Sequence, residues 1–596
     1  MSAIPYRTSI DGLRAFAILS VFIFHLNREW LPGGFVGVDV FFVISGFLIT
    51  SIIYQECKEK RFSLSRFYQR RIARIFPAFF VVALVTLAAA SKIYSPQDFA
   101  SAGANLAAAA LSVSNLKSML QGGYFQLSDD ALPYLHYWSL AVEEQYYLLF
   151  PLFFIGIFKF LRRQVTIVLA AVVLVSLVLG VVLTNLNPVW AFFLLPARAW
   201  ELTAGGLLAI MLADGRVAQN KFTAILPVAG LVLVCLSFLV VPDGPSFPGT
   251  WALLPVVGTL GILTNTNPNH HIERFLSWLP LVAIGKVSYS LYLWHWPIFS
   301  LIDYQMLLAP EWVRVILKVA LTVIATLCSY FLIEIPSRGF LNQPKYRRHA
   351  YAITSMVVIL CCILGSHIRN ENYINATVAD VAKSGLVFGE KNPENTVILV
   401  GDSNGSMYGI LLKKLIADQG GRFICLSVAA ADPLPKLGEP LPALWKNVLT
   451  IIKNERPTTV VLVCHWEDKL KKGYARLDLA INELSPLTDH LLLFTQPPIL
   501  PLTATREHLR NKESREPFVE DADVREGRIA ANAFVMSRRS SKVAVLDVAK
   551  FFEGENGEIR SSSKDGKPFY HDSTHLSGFG SRAVESEVAN ILRNPR

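Results

Sequence analysis

The sequence predicts a multi-span α-helical membrane domain of about eleven transmembrane helices, followed by an extracytoplasmic α/β domain built on a parallel sheet. Three observations predict it. Composition divides the chain of 596 residues: up to about residue 367 it is strongly apolar, and beyond that it reads as an ordinary soluble protein. The run VTIVLAAVVLVSLVLGVVL (165–183) carries no charge, and a helix needs about 20 apolar residues to cross the hydrocarbon. The C-terminal part alternates short apolar runs with helical or mixed stretches, the pattern of a sheet covered by helices.

The spans are expected near 10–27, 35–54, 75–92, 140–158, 165–183, 191–211, 223–241, 250–264, 280–301, 312–334 and 350–366. Between the third and fourth, SAGANLAAAALSVSNL reads as an interfacial or re-entrant helix. The first span does not have the expected layout of a cleaved signal peptide, because Arg14 opens its apolar run and His25 closes it. Basic residues set the expected orientation. They crowd KEKRFSLSRFYQRRIAR after span two, the loop after span four and the loop after span ten, while VPDGPSFPG has none. That parity places the N-terminus in the cytoplasm and everything after about residue 367 on the other face. Much of the basic charge behind the net +10 lies in these loops, and no base-reading motif points to nucleic acid. The seven cysteines include no CxxC, and no metal site is expected. Cys425 and Cys464 are the only two in the exported part, as a disulfide or as buried thiols.

Ionisable groups inside a bilayer are expensive and mark functional candidates. Arg14 and His25 are about 16 Å apart along one helix, so they lie near opposite faces of the membrane. Asp39 follows one helix later, and His136 precedes Glu143 and Glu144 in HYWSLAVEEQYYLLFP. Arg198 and Glu201 can face each other at a three-residue spacing, either to fix packing or to act. His295 sits among aromatics in SYSLYLWHWPIF, and Glu334 ends span ten.

RTSIDGLRAFAILSVFIFH, GGFVGVDVFFVISGFLIT, RRIARIFP, YWSLAVEEQYYLLFP, FFLLPARAWELTAGG and SYSLYLWHWPI, in that order, resemble the membrane-bound acyltransferase-3 family over roughly residues 5–340. The resemblance implies that Arg14 and His25 are essential and that the donor is cytoplasmic acyl-CoA, usually acetyl-CoA. It implies an acyl group that crosses the bilayer to an extracytoplasmic carbohydrate. Arg70, Arg71 and Arg74 would suit a coenzyme A phosphate; their charge serves topology equally well.

In the exported part, the apolar strand 396–400 runs into Gly401, Asp402 and Ser403, and a helix follows. Nucleophiles favour the C-terminal end of a strand in open α/β sheets. A serine needs a base. FYHDSTHLSGFGSRAV supplies Asp572 and His575, three apart, so that the aspartate can orient the imidazole. His571 is the rival base and reads as a surface residue. Further strands are expected at 421–429, 458–466, 490–498 and 542–548, and a polar linker at 368–392. This part resembles the SGNH-hydrolase superfamily in the version fused to acyltransferase-3 proteins, over about 393–594, with Ser403, Asp572 and His575 matching its triad. It departs where the superfamily has a glycine after the second strand and Gly-x-Asn-Asp after the third: here stand VAAADPLP and CHWED. Asn404, His465 or Trp466 would lie near the oxyanion, with Trp466 preferred as a wall of the acceptor cleft.

The expected organisation is a membrane domain over 1–340, a final helix and linker over 341–392, and an SGNH-like domain over 393–596. The expected protein is an O-acetyltransferase of the bacterial inner membrane with a periplasmic C-terminal domain. Its expected substrates are acetyl-CoA inside and a lipid-linked or exported glycan outside. Lipopolysaccharide O-antigen, peptidoglycan and another exported polysaccharide all fit the outer face; the resemblance to O-antigen-modifying fused proteins implies the first, and the oligomeric state is left open. The alternative class is a transporter with an appended esterase.

Overall fold

The computed structural model describes residues 6–120, 132–217, 224–306, 309–390, 395–429, 431–436, 442–471, 473–501, 518–554, 557–564 and 567–593. The chain forms two compact units. The helical unit comprises Met1–Lys92, Ala102–Tyr304 and Trp312–Ser366; the sheet unit comprises Ile93–Ser101, Gln305–Glu311 and His367–Arg596.

The first helices are α1 (Thr8–Leu26), α2 (Gly37–Lys58), α3 (Leu64–Ile93), α4 (Pro96–Ala110), α5 (Ser114–Leu120), α6 (Tyr137–Phe160) and α7 (Val165–Leu186). Then come α8 (Pro188–Phe193), α9 (Leu195–Ala213), α10 (Leu226–Val240), α11 (Leu253–Leu263), α12 (His271–Leu276) and α13 (Leu279–Gln305). The last are α14 (Glu311–Ser329), α15 (Ile335–Leu341) and α16 (Arg347–Asn372), with a π-turn at Tyr330–Glu334 between α14 and α15. Among the described residues, seven helical segments are long and apolar enough to cross a membrane. The other four expected spans fall on shorter or more polar helices. The sixth is broken at Leu194, between α8 and α9, where Pro196 starts a new helix. The expected basic loop before span three is itself helical, because α3 begins at Leu64 and carries Arg66, Arg70, Arg71 and Arg74.

Two helices show the inverted polarity that lipid demands. On α14 the buried residues are Arg314, Lys318, Thr322, Thr326 and Ser329, one helical face, while Ile316, Leu321, Ile324 and Leu327 are exposed. On α7 the inward face holds Ser176, Gly180 and Thr184, and Ile167, Leu174 and Val178 point outward. A soluble helix would do the reverse. Close packing uses glycine. A Cβ at Gly46 of α2 would lie 1.7 Å from the Leu202 carbonyl oxygen of α9, so only a bare Cα admits that approach.

Among the described residues, the main sheet of this unit has six strands: β1 (Leu386–Phe388), β2 (Thr396–Gly401), β3 (Arg422–Ser427), β4 (Thr459–Val463), β5 (His490–Phe494) and, after the two-residue β6 (Phe518–Val519) of a second sheet, β7 (Val543–Leu546). Their order is β1-β3-β2-β4-β5-β7. β6 pairs separately with β8 (Glu558–Ile559). All five longer strands run parallel. Both faces are buried: Ile398, Val400, Val460 and Leu462 pack into one layer, and Val397, Leu399, Val461 and Val463 into the other. This explains the near-continuous apolar runs. The expected all-parallel sheet is corrected to a mixed one, because β1 pairs antiparallel with β3. β1 lies in the expected polar linker, where Leu386, Val387 and Phe388 stand between Gly385 and Gly389, both at positive φ. Three apolar residues are too few to announce a strand by period.

Candidate functional site

β2 lies between β3 and β4, which leave it in opposite directions, so its C-terminal end opens onto the crevice of the sheet. Gly401 pairs with both Ser427 and Val463. Its Cβ would lie 2.0 Å from the Val463 carbonyl oxygen, so glycine is required there. Asp402 then turns the chain. Its carboxylate accepts from the Asn404 N–H at 2.9 Å and the His465 N–H at 3.0 Å. The Ser427 hydroxyl donates to the Asp402 carbonyl at 2.5 Å. Burial raises the Asp402 carboxyl above its ordinary range, against the pull of the His465 N–H and the Lys469 charge.

This turn presents Ser403, whose Oγ is 2.8 Å from His575 Nε2. His575 Nδ1 lies 2.8 Å from Asp572 Oδ2 and 2.9 Å from its Oδ1. A carboxylate can only accept, so Nδ1 carries the proton and Nε2 faces the serine as the basic atom. Burial pushes the Asp572 carboxyl up. The hydrogen bond and charge of His575, the charge of His571 and the Thr574 N–H outweigh it and hold the group well below the ordinary carboxylate range. The loop carrying the pair is closed by the His571 N–H donating to the His575 carbonyl at 2.8 Å. It is tied to the sheet by the Leu500 N–H donating to the Ser573 carbonyl and the Tyr570 hydroxyl donating to the Pro498 carbonyl. His571 is partly buried rather than a surface residue, and its Nδ1 lies 3.0 Å from Asp98 of the same unit's Ile93–Ser101 segment.

The oxyanion expectation changes most. Trp466 is no cleft wall: it is wholly buried, and its indole N–H donates to the Phe494 carbonyl at 2.7 Å. The Ala429 N–H, in the place of the expected glycine, donates to Asn375 Oδ1 at 3.0 Å. The His465 N–H is engaged by Asp402. Asn375 comes from the linker and escaped the sequence reading, since a lone asparagine in a polar stretch carries no signal. Cys425 and Cys464 are both free, buried thiols.

Glu334 pairs with Arg338; most of the other ionisable groups of the helical unit singled out from the sequence gather, among the described residues, in three places. Asp39 Oδ1 is 2.9 Å from Arg198, and Glu201 Oε1 is 2.7 Å from the same guanidinium, all fully buried. The rings of Phe42, Trp138, Phe192 and Phe247 surround that guanidinium at 5.4–5.9 Å. A cavity of about 840 Å³, counting its mouth, is lined by Arg14, Arg71 and Arg74 together with Glu143, Glu144, Ser139, Tyr289 and Tyr292. Arg14 also pairs with Asp11 at 3.4 Å. Glu143 accepts from the hydroxyls of Ser45 and Tyr147. Arg70, grouped with the other two arginines from sequence, turns instead to Glu56 at 2.9 Å, because helical neighbours point about 100° apart. The third place is His25, whose Nδ1 is 3.1 Å from His295 Nε2, with the His136 ring 5.5 Å from that of His295.

Arg14 and His25 do not touch, and Tyr292 links their surroundings. It lines the cavity, its hydroxyl is 2.5 Å from Ser139 Oγ and 3.0 Å from the His136 carbonyl, and its own carbonyl holds His295 at 2.7 Å. Sequence reading passed over Tyr292 and Ser139, since neither carries an unusual charge.

Residues 7–334 match the family described as "Acyltransferase domain", and residues 372–590 match "SGNH domain (fused to AT3 domains)". The chain is 33% identical over 359 residues to the peptidoglycan O-acetyltransferase OatA of Listeria monocytogenes serovar 1/2a, covering 57% of each chain. It is 35% identical over 375 residues to the O-acetyltransferase OatA of Staphylococcus aureus (strain MRSA252), covering 60% of this chain and 62% of that one. The chain therefore spans about three-fifths of the length of these relatives. The periplasmic domain of a lipopolysaccharide acetyltransferase from Salmonella ser. Paratyphi A is 17% identical, with a TM-score of 0.27, over 34% of this chain and 84% of that one.

Proposed function

The chain belongs to the acyltransferase-domain family, in the form that carries a fused SGNH domain, and on that premise we propose that it is a two-part O-acetyltransferase of the cell envelope. The helical unit takes an acetyl group from acetyl-CoA at the cytoplasmic face. The sheet unit passes it, through an ester on Ser403, to a glycan hydroxyl on the other face. The observation that carries this reading is the Ser403–His575–Asp572 line at the C-terminal end of β2, with contacts of 2.8 Å on both sides of the imidazole.

In this reading the helices cross the bilayer about eleven times, the N-terminus is cytoplasmic and the sheet unit is periplasmic. The basic segments support it. Arg71 and Arg74, on the cavity that also holds Arg14, face the coenzyme A phosphates, while Arg70 serves α3 packing. His25 is the base of the membrane step. At Ser403, His575 Nε2 takes the hydroxyl proton as the oxygen attacks the acyl carbonyl, then returns it to the leaving group. Asp572 keeps the imidazole in the required tautomer. The acceptor is a surface glycan. The Listeria relative is by name a peptidoglycan O-acetyltransferase, which supports peptidoglycan, against the lipopolysaccharide O-antigen that the resemblance to O-antigen-modifying proteins implied.

The test uses the full-length protein with acetyl-CoA and intact-mass analysis. Wild type gains one acetyl on Ser403, and Ser403→Ala, His25→Ala and Arg14→Ala do not. Equal labelling of Ser403→Ala removes the seryl relay. Mass analysis of purified peptidoglycan and lipopolysaccharide, with and without the gene, identifies the acceptor. Movement of a solute with no acylation of either would favour the transporter reading.

A further inference from the structure

We propose that His295 is the positioning residue of the membrane step, and that Tyr292, His295 and His25 form a relay which makes Nε2 the basic atom of His25. The inference rests on the reading of His25 given above. A backbone carbonyl has no proton to give, so a ring nitrogen bonded to it must donate. His295 Nδ1 is 2.7 Å from the Tyr292 carbonyl and therefore carries the proton. In the neutral ring, His295 Nε2 then holds a lone pair. His25 Nδ1 lies 3.1 Å from that atom, so His25 donates its Nδ1–H. In the neutral ring, Nε2 is then the nitrogen of His25 that carries the lone pair.

The surroundings hold the pair in place. The two imidazoles stack at 25° with centroids 5.2 Å apart. Trp296 meets the His25 ring edge-on at 4.8 Å, and Phe24 does so at 5.2 Å. His295 is completely buried. Tyr292 lines the cavity that Arg14 and Ser139 also line, and its hydroxyl meets Ser139, so one residue of α13 joins that cavity to the histidine pair. The arrangement repeats the logic of Asp572 and His575 in the other unit, with a backbone carbonyl and a second imidazole in place of the carboxylate.

The chemical step this prepares is balanced. An acceptor hydroxyl attacks the carbonyl of an acyl thioester, the O–C bond forms and the C–S bond breaks. The hydroxyl proton moves to His25 Nε2 and from there to the departing thiolate sulfur. His295 touches neither reactant.

The test is a set of His295 variants in the purified full-length protein, assayed for acetyl transfer from acetyl-CoA. In His295→Gln the amide oxygen can stand where Nε2 stood and accept from His25. Its kcat is expected within about 10-fold of wild type. His295→Asn keeps a donor for the Tyr292 carbonyl but does not reach His25. It is expected to lose about 100-fold or more in kcat with the KM for acetyl-CoA unchanged, as expected when an imidazole is left in the wrong tautomer. His295→Leu is expected to match it. If Asn and Leu transfer as fast as Gln, or Gln falls as far as Leu, the relay is overturned. Should the Leu variant not fold, the Gln–Asn comparison decides alone. Full activity in His25→Ala would overturn the reading of the membrane step itself. An inactive His25→Ala beside a fully active His295→Leu would overturn only the relay.

Discussion

At the scale of single residues, Arg198 and Asp572 show two ways in which a charge is held. Arg198 is buried between Asp39 and Glu201, with four aromatic rings around it. Removing one member of a buried ion cluster leaves uncompensated charge, at a cost of about 3–5 kcal/mol. Arg198→Met is therefore expected to lower the melting temperature of the detergent-solubilised protein sharply, with loss of folded yield. Asp572 is held as a carboxylate chiefly by His575. A carboxyl whose folded pKa is depressed contributes stability above its unfolded value of about 4, and loses it as pH falls through the folded value. The melting difference between wild type and Asp572→Asn is expected to be widest near neutral pH and to close in strong acid. A gap that grows with acidification would contradict this assignment. Legibility at this scale was uneven. Ser403, Asp572 and His575 stood out in the sequence because each has a local pattern. Tyr292 and Asn375 did not, because their importance lies in which atom they meet.

At the scale of elements, α14 carries the sharpest statement. Its inward face is polar and its outward face apolar. The Thr326 hydroxyl is buried without a hydrogen-bond partner among the described residues. Replacing such a group with an apolar isostere is nearly neutral or stabilising. Thr326→Val is expected to leave the melting temperature unchanged or raised. Ile324→Arg, on the exposed face, places a charge toward lipid and is expected to cost about 2.5–3.5 kcal/mol of insertion. It should appear as reduced membrane-integrated protein in fractionation. If both variants behave alike, the two faces are not distinct environments. In the sheet unit the matching element is β2, buried on both sides and ending at Gly401. Gly401→Ala is expected to push β4 away, displace Ser403 and lower seryl acylation by an activated ester while acetyl-CoA consumption by the helical unit persists.

For the whole molecule, the proposed mechanism places donor and acceptor on opposite sides of one membrane. Its test is the sidedness of the sheet unit. Lys383 lies on an exposed turn of the helix Val378–Lys383. In a Cys328→Ser background, a cysteine at position 383 is expected to react with a membrane-impermeant thiol reagent in intact spheroplasts. Labelling only after lysis would place the sheet unit inside and end the two-sided mechanism.

What the sequence by itself determined is what depends on neighbours along the chain. Apolar runs mark helices because hydrophobicity and length are local properties, and short apolar runs mark buried strands for the same reason. Gly-Asp-Ser after a strand and Asp-x-x-His near the end named three side chains that meet within 2.8 Å. The tertiary structure decided what depends on direction and on distant partners. Arg70, Arg71 and Arg74 look alike in sequence, yet the helical twist sends the first to Glu56 and the other two to the cavity. Trp466 looked like a cleft residue and is core, because the turn after β4 carries its indole to Phe494. His25 and His295 are 270 positions apart, and only the packing of α1 against α13 brings them to 3.1 Å. Such a contact is set by shape complementarity over whole helices, and no local pattern of residues encodes it.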